Sequence, residues 1–181
     1  MDNLSTQVIL VNEQDEVVGS MDKMEAHKQA KLHRAFSIFV FNSIGEMLLQ
    51  QRANGKYHSG GLWTNACCSH PSPGEETPSS ASRRLEEEMG FNTPLVKIFD
   101  FTYRAVLDNG LVEHEYDHVY LGIYNGEIYP NPDEVKDYRY MAMDEVKEWL
   151  HKEPDQFTAW FHIAFPLLEK WLLKNKMELQ N

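Results

Sequence analysis

The sequence predicts an α/β fold in one domain, and three observations carry that prediction. Short runs rich in β-branched and aromatic residues alternate with polar turns as far as His70, which is a strand pattern. Ala81, Leu85 and Met89 then fall four apart, which is the spacing of one helical face. The 181 residues, 42% apolar and 25% charged, contain no internal repeat, no low-complexity run and no linker rich in Gly, Ser or Pro. That length suits one real hydrophobic core and is too short for two.

Taken in order, QVILVN (7–12) and EVVGS (16–20) read as short strands across the turn EQD. LHRAFSIFVFN (32–42), the turn SIG and EMLLQQR (46–52) form a hairpin, and LWTNACCSH (62–70) reads as one further strand. Pro71, Pro73 and Gly74 make a loop. Thr77 is placed as N-cap, with Pro78 at the first helical position of a helix over 78–89 that stops at Gly90. VKIFDFTYRAVL (96–107), the turn DNG and LVEHEYDHVYLGIY (111–124) make a long hairpin. DYRYMAM is the last strand. Asp144 caps a short helix to about His151, and Thr158 caps a C-terminal helix to about Lys174, in which Pro166 marks a kink or the true start.

Composition excludes several classes. A formal net charge of −11 opposes nonspecific nucleic-acid binding. It also means that an anionic substrate needs a local cluster of cations or metal ions. No apolar run reaches the roughly 18 residues of a membrane span. MDNLSTQVIL lacks a basic segment followed by an apolar one, so no signal peptide is expected. The two cysteines are adjacent, where an ordinary disulfide cannot close, and are expected as reduced thiols of a cytoplasmic protein.

Strand alternation puts Cys67 on one face and Cys68 with His70 on the other. The thiol–imidazole pair can be a nucleophile with its base, two metal ligands, an acid/base thiol beside a ligand, or a pair without a chemical role. His27, His33 and His70, with Glu113 and Glu115 on one face of one strand, suit a divalent metal such as Zn²⁺ or Mn²⁺. Each also has a bland reading as a surface or satisfied residue, the two glutamates as a solvated strand face.

The run from Ser69 to Phe91 resembles the Nudix box, G-x5-E-x7-R-E-U-x-E-E-x-G-U, at Glu75, Arg83, Leu85, Glu87, Glu88, Gly90 and Phe91. It departs at Ser69, in place of the first glycine, and at Arg84, in place of a glutamate that hydrolases use to hold Mg²⁺. AHKQAKLH, WTNACCSHP, RRLEEEMG, FTYRA, VEHEYDH and FTAWF occur in that order. With them the chain resembles the type 1 isopentenyl-diphosphate isomerases, a Nudix-fold family, over about residues 7–175. The resemblance implies mixed β-sheets sandwiched between α-helices: a single domain over 1–181, with its core at about 32–165 and the N-terminal strands and C-terminal helix packed on it.

It further implies that His27, His33, His70, Glu113 and Glu115 hold one divalent ion (Mn²⁺, Zn²⁺ or Mg²⁺) in roughly octahedral geometry. By that resemblance Glu88 would help bind Mg²⁺ carrying the substrate diphosphate, and Lys23, Arg52, Lys56 and Arg84 would contact that diphosphate. The same resemblance implies a reaction that shifts a carbon–carbon double bond between isopentenyl and dimethylallyl diphosphate through a carbocation-like species. In it Cys68 and Glu115 would exchange protons from opposite faces, with Tyr103 assisting Glu115 and Trp160 facing the cation. Cys67 reads as a small buried hydrophobe. Ala159 stands where the family usually has proline, and extra glycines in RANGKYHSGG leave the reach of Lys56 less defined than that of Arg52. Two rival readings are a Nudix hydrolase of a nucleotide or other diphosphate, and an inactive metal or redox sensor using the paired thiols.

Overall fold

The computed structural model describes residues 7–178, with side chains through 175; the segment 1–6, read above for a leader, lies outside the described residues. The elements are β1 (Gln7–Val11), β2 (Val17–Asp22), α1 (Lys23–Lys28), β3 (His33–Phe41), β4 (Met47–Arg52), β5 (Trp63–Thr64), β6 (Cys67–Ser69) and α2 (Thr77–Met89). They continue as β7 (Val96–Val106), β8 (Val112–Ile123), β9 (Val135–Met141), α3 (Met143–Lys152) and α4 (Ala159–Glu178).

β3 is the hub of a mixed sheet. β8 runs parallel to it in unbroken register from His33↔Glu115 to Phe41↔Ile123. Its other side meets β1 at His33, β6 from Phe36 to Ile38, and β4 at Phe41. β8 also pairs with β7 as the expected long hairpin, and β4 pairs with both β5 and β9.

The pleat sorts β3 into two faces. Phe36, Ile38 and Val40 enter one core with Ala81, Leu85 and Met89 of α2, and Cys67 is sealed there. Phe39 and Phe41 enter a second core beneath α4, with Phe161, Ala164, Phe165 and Leu168 at helical spacing. On that second face the earlier residues of the same strand include the polar His33 and Ser37, either side of the small Ala35, all buried without joining the core. β8 behaves alike, with Glu113, Glu115 and Asp117 preceding the core residue Val119. One sheet face is therefore half packing surface and half polar floor.

Several boundaries differ from expectation. LWTNACCSH is two short strands, because the Asn65 amide donates to the carbonyls of Ile38 (2.9 Å) and Cys67 (3.0 Å) and so takes acceptors that a continuous ladder would use. The N-cap of α2 is Glu76, with Thr77 and Pro78 inside the first turn. Gly90 closes that helix at φ 72°, and a Cβ there would sit 2.0 Å from the Tyr129 carbonyl oxygen. Ala142, not Asp144, caps α3, and its N–H is met by Glu145 at 3.2 Å. α4 begins at Ala159 and runs past Pro166, so the proline does not mark its start. Thr158 precedes α4, but its hydroxyl lies against Thr64 Oγ1 at 3.2 Å. The sequence reading missed α1. It has six residues, too short to show a period, and Asp22 caps it by accepting from Glu25 N–H at 3.1 Å.

Candidate active site

The polar half of the β3–β8 face is the floor of an open cleft whose empty space is about 540 Å³. Four elements converge on it, each delivering a side chain with a metal-ligating atom. α1 brings His27, β3 brings His33, the end of β6 brings His70 and β8 brings Glu115. Their donor atoms all lie within 4.8 Å of one another. His27 Nδ1–H donates to the Lys23 carbonyl (2.6 Å) and His33 Nδ1–H to the Lys31 carbonyl (2.8 Å). Those bonds fix the tautomers so that both Nε2 lone pairs face inward.

The site fits a cation. Among the described residues His27 Nε2 is buried with no hydrogen-bond partner, while His33 Nε2 and His70 Nε2 approach to 3.3 Å. Burial pushes His70 down to about 4 despite the Glu115 charge beside it, so its ring is neutral and ligand-ready. Imidazoles with a carboxylate suit a divalent first-row metal. Of the five expected ligands, these four converge directly. Glu113 instead falls in a second group, with His27 and His58. A single Nε2 lone pair serves one ion, so the two groups cannot each hold an ion through His27 at once.

Tyr103, opposite Glu115 in the β7–β8 register, joins the carboxyls. Its Oη lies 2.8 Å from Glu113 Oε2 and 2.7 Å from Glu115 Oε2. A phenol has one proton and cannot satisfy two carboxylates. Electrostatics resolves this. Burial, and then the Glu115 charge, push Glu113 well above the usual carboxylate range. Burial also opposes charge on Glu115, yet His70 and His33 hold it well below that range. In the metal-free protein these opposite shifts favour the proton on Glu113 and the charge on Glu115.

Cys68 lines the same cleft as Glu115, from the opposite side of β3. Burial, and then the Asp117 carboxyl, push its thiol up. At neutral pH it stands protonated and donates to Asn65 Oδ1 at 3.0 Å. Ser37 Oγ, which donates to Asp117 at 2.7 Å, lies 3.4 Å from the sulfur.

Lys23, Arg52, Lys56 and Arg84 all line this cleft, as does Glu88. Burial, then Lys56 and Arg84, push the Lys23 amine down, against the opposing charge of Glu134. Lys56 pairs with Glu134, and Arg84 bridges Glu87 (2.6 Å) and Glu88 (2.7 Å). Gln50 donates to the other Glu88 oxygen at 3.0 Å. Trp160 closes the cleft from α4, with the Arg52 guanidinium 5.2 Å from its ring centre.

The sequence reading missed His58, Asn65 and Asp117. Asp117 had a signal, since it continues the period-two spacing of Glu113 and Glu115. His58 sits in a glycine-bearing loop without periodicity, its ring 5.7 Å from that of Trp160. Burial, and then Arg52, push it down to about 3 in the metal-free protein. The unfolded chain protonates such a ring near 6.5, so acid draws protons to the unfolded state. Relative to His58→Gln, the metal-stripped wild type should lose about 1.4 kcal/mol of stability per pH unit as pH falls below about 6.5, and the loss should end near pH 3. Denaturant unfolding of both proteins at about pH 7.5 and about pH 5 checks this, and a pH-independent difference would refute it.

Comparison with known proteins places this geometry. The family model for the NUDIX domain matches residues 31–161. An isopentenyl-diphosphate Delta-isomerase of Pectobacterium atrosepticum is 55% identical over 76% of this chain and 77% of its own. Isopentenyl-diphosphate Delta-isomerase 2 of Aromatoleum aromaticum is 53% identical over 77% of this chain and 74% of its own. Among solved structures, the MutT protein from Methanosarcina mazei Go1 superposes with a TM-score of 0.64 at 18% identity, covering 80% of this chain and 96% of its own. That last likeness shows the fold alone.

Proposed function

The chain belongs to the NUDIX family and, within it, to the isopentenyl-diphosphate Delta-isomerases, and on that premise we propose that Cys68 and Glu115 are the acid–base pair of the reaction. The reaction interconverts isopentenyl and dimethylallyl diphosphate. A proton is added to the terminal alkene carbon and another is taken from the carbon on the far side of the branch point, through a species with tertiary carbocation character. Two proton-exchanging groups on opposite walls are therefore required, and they trade roles when the reaction reverses. What supports this assignment is that the Cys68 sulfur and the Glu115 carboxyl line one cleft from opposite sides of β3.

His27, His33, His70 and Glu115, with Glu113 beside them, would hold the divalent ion, which supplies Lewis acidity that makes a proton on the Glu115 carboxyl easier to release. Tyr103 keeps that carboxyl oriented and shares its proton. Lys23, Arg52, Lys56 and Arg84 grip the diphosphate and offset the repulsion of a chain with net charge −11. Glu88, whose oxygens each keep a lone pair beyond their bonds to Arg84 and Gln50, can join a Mg²⁺ that accompanies the diphosphate. The Trp160 indole stabilises a cation by about 0.5–2 kcal/mol. Tenfold in rate needs about 1.4 kcal/mol, so the ring helps and exclusion of water must contribute as well.

Arg84 bears on the hydrolase alternative. A guanidinium bound to Glu87 and Glu88 stands where hydrolytic relatives need another carboxylate, which weakens a multi-metal hydrolytic centre. Incubation with isopentenyl diphosphate and a divalent metal should show the dimethylallyl methyl signals by proton NMR and no free phosphate by phosphorus NMR. Phosphate release without isomer would overturn the reading in favour of hydrolysis.

Among the described residues no helix is long and apolar enough to cross a membrane. We extend this to a cytoplasmic enzyme acting on a small isoprenoid diphosphate, without nucleic-acid or membrane partners.

A further inference from the structure

The break between β5 and β6 contains two buried polar residues that the acid–base chemistry does not use, Thr64 and Asn65. Their hydrogen bonds form a directed chain. The Trp160 Nε1–H, which can only donate, bonds to Thr64 Oγ1 at 2.9 Å. The Thr64 hydroxyl donates to Asn65 Oδ1, also at 2.9 Å. The Cys68 thiol donates to that same Oδ1 at 3.0 Å. The amide cannot flip, because both of its N–H groups are held by the carbonyls of Ile38 and Cys67. One acceptor oxygen, fixed to the hub strand, thereby receives the sulfur directly and the indole through one hydroxyl.

We propose that Thr64 and Asn65 are positioning residues that set the Cys68 sulfur and the Trp160 ring in one fixed relation across the cleft. The inference rests on the acid–base assignment above and adds to it a way of aligning proton transfer with the aromatic face. Thr64 is the link that can be cut cleanly. Valine has the same shape and lacks the hydroxyl, so it leaves the indole N–H and the Asn65 oxygen in place without a connection. The Thr158 hydroxyl, 3.2 Å from Thr64 Oγ1, anchors the start of α4 to the same point. Its neighbour bonds support this docking, since Thr158 N–H donates to the Trp63 carbonyl at 3.0 Å.

The test compares wild type, T64V and T64S on isopentenyl diphosphate, with ¹⁵N-tryptophan NMR of each. T64V should lose about 10- to 100-fold in kcat with KM within about twofold, and T64S should return kcat to within about threefold of wild type. The Trp160 indole proton, identified with W160F, should be downfield and slow to exchange in wild type and T64S and move upfield in T64V. A folded T64V with kcat near wild type overturns the proposal. So does a loss shared equally by KM, or one that T64S does not repair, since either indicates packing alone. Should T64V fail to fold, an upfield, fast-exchanging Trp160 proton in wild type still overturns it, whereas a protected one together with T64S turnover supports it. A wild-type protein that does not isomerise the substrate sinks the acid–base assignment instead, and the two failures are thereby separated.

Discussion

Cys68→Ala is expected to lose at least about a thousandfold in turnover while binding its divalent ion as wild type does. The size follows from removal of one of two groups that must move protons to or from carbon, where a positioned acid or base contributes about 10²–10⁴. An alkene and a carbocation offer water little purchase as a substitute, so the upper part of that range applies. Metal retention follows from geometry, because the sulfur contacts Asn65 and Ser37 and is not among the converging donors. Turnover by NMR and metal content of the same preparation decide the matter. Alanine with more than about a tenth of wild-type activity excludes the thiol from proton transfer. Intact activity with reversible thiol oxidation coupled to a partner would favour the sensor alternative.

Glu115→Gln should produce the other large loss, with a different signature. Glutamine keeps the shape and an acceptor oxygen but cannot carry the charge that His70 and His33 stabilise. Metal affinity should fall about 10- to 100-fold and turnover by about a thousandfold or more. Raising the metal concentration separates the two effects. Saturated variant protein should regain its ion and remain inactive, because the carboxyl proton is still missing. If turnover returns with metal content, Glu115 is a ligand only and the acid–base pair must be sought elsewhere.

Much of this arrangement is legible in the sequence wherever the pattern is local. Alternation along VEHEYDH places Glu113 and Glu115 on one face, and the four-residue spacing with Gly90 delimits α2 within a residue. The pleat separates Cys67 from Cys68 as expected, one in the core beside α2 and one in the cleft. What escapes is whatever tertiary partners decide. α1 is too short for a periodic signal, so His27 had no element to stand on. His58 is functional scenery only because its loop folds back beside Trp160. Asn65 looks like any strand interruption until its amide is seen to occupy the backbone of β3 and β6. The grouping of Glu113 with His58 and His27, apart from His33, His70 and Glu115, depends on angles that spacing cannot encode.

The half-apolar, half-polar face of β3 and β8 has an energetic corollary. The strands that carry the reactive groups also form the seam beneath α4, so loosening the floor also disturbs the core packed there. Reorganisation that solvent would have to undergo during each turnover is thus completed once, when the chain folds. The dipoles around the cleft are preorganised at the expense of global stability rather than of binding energy.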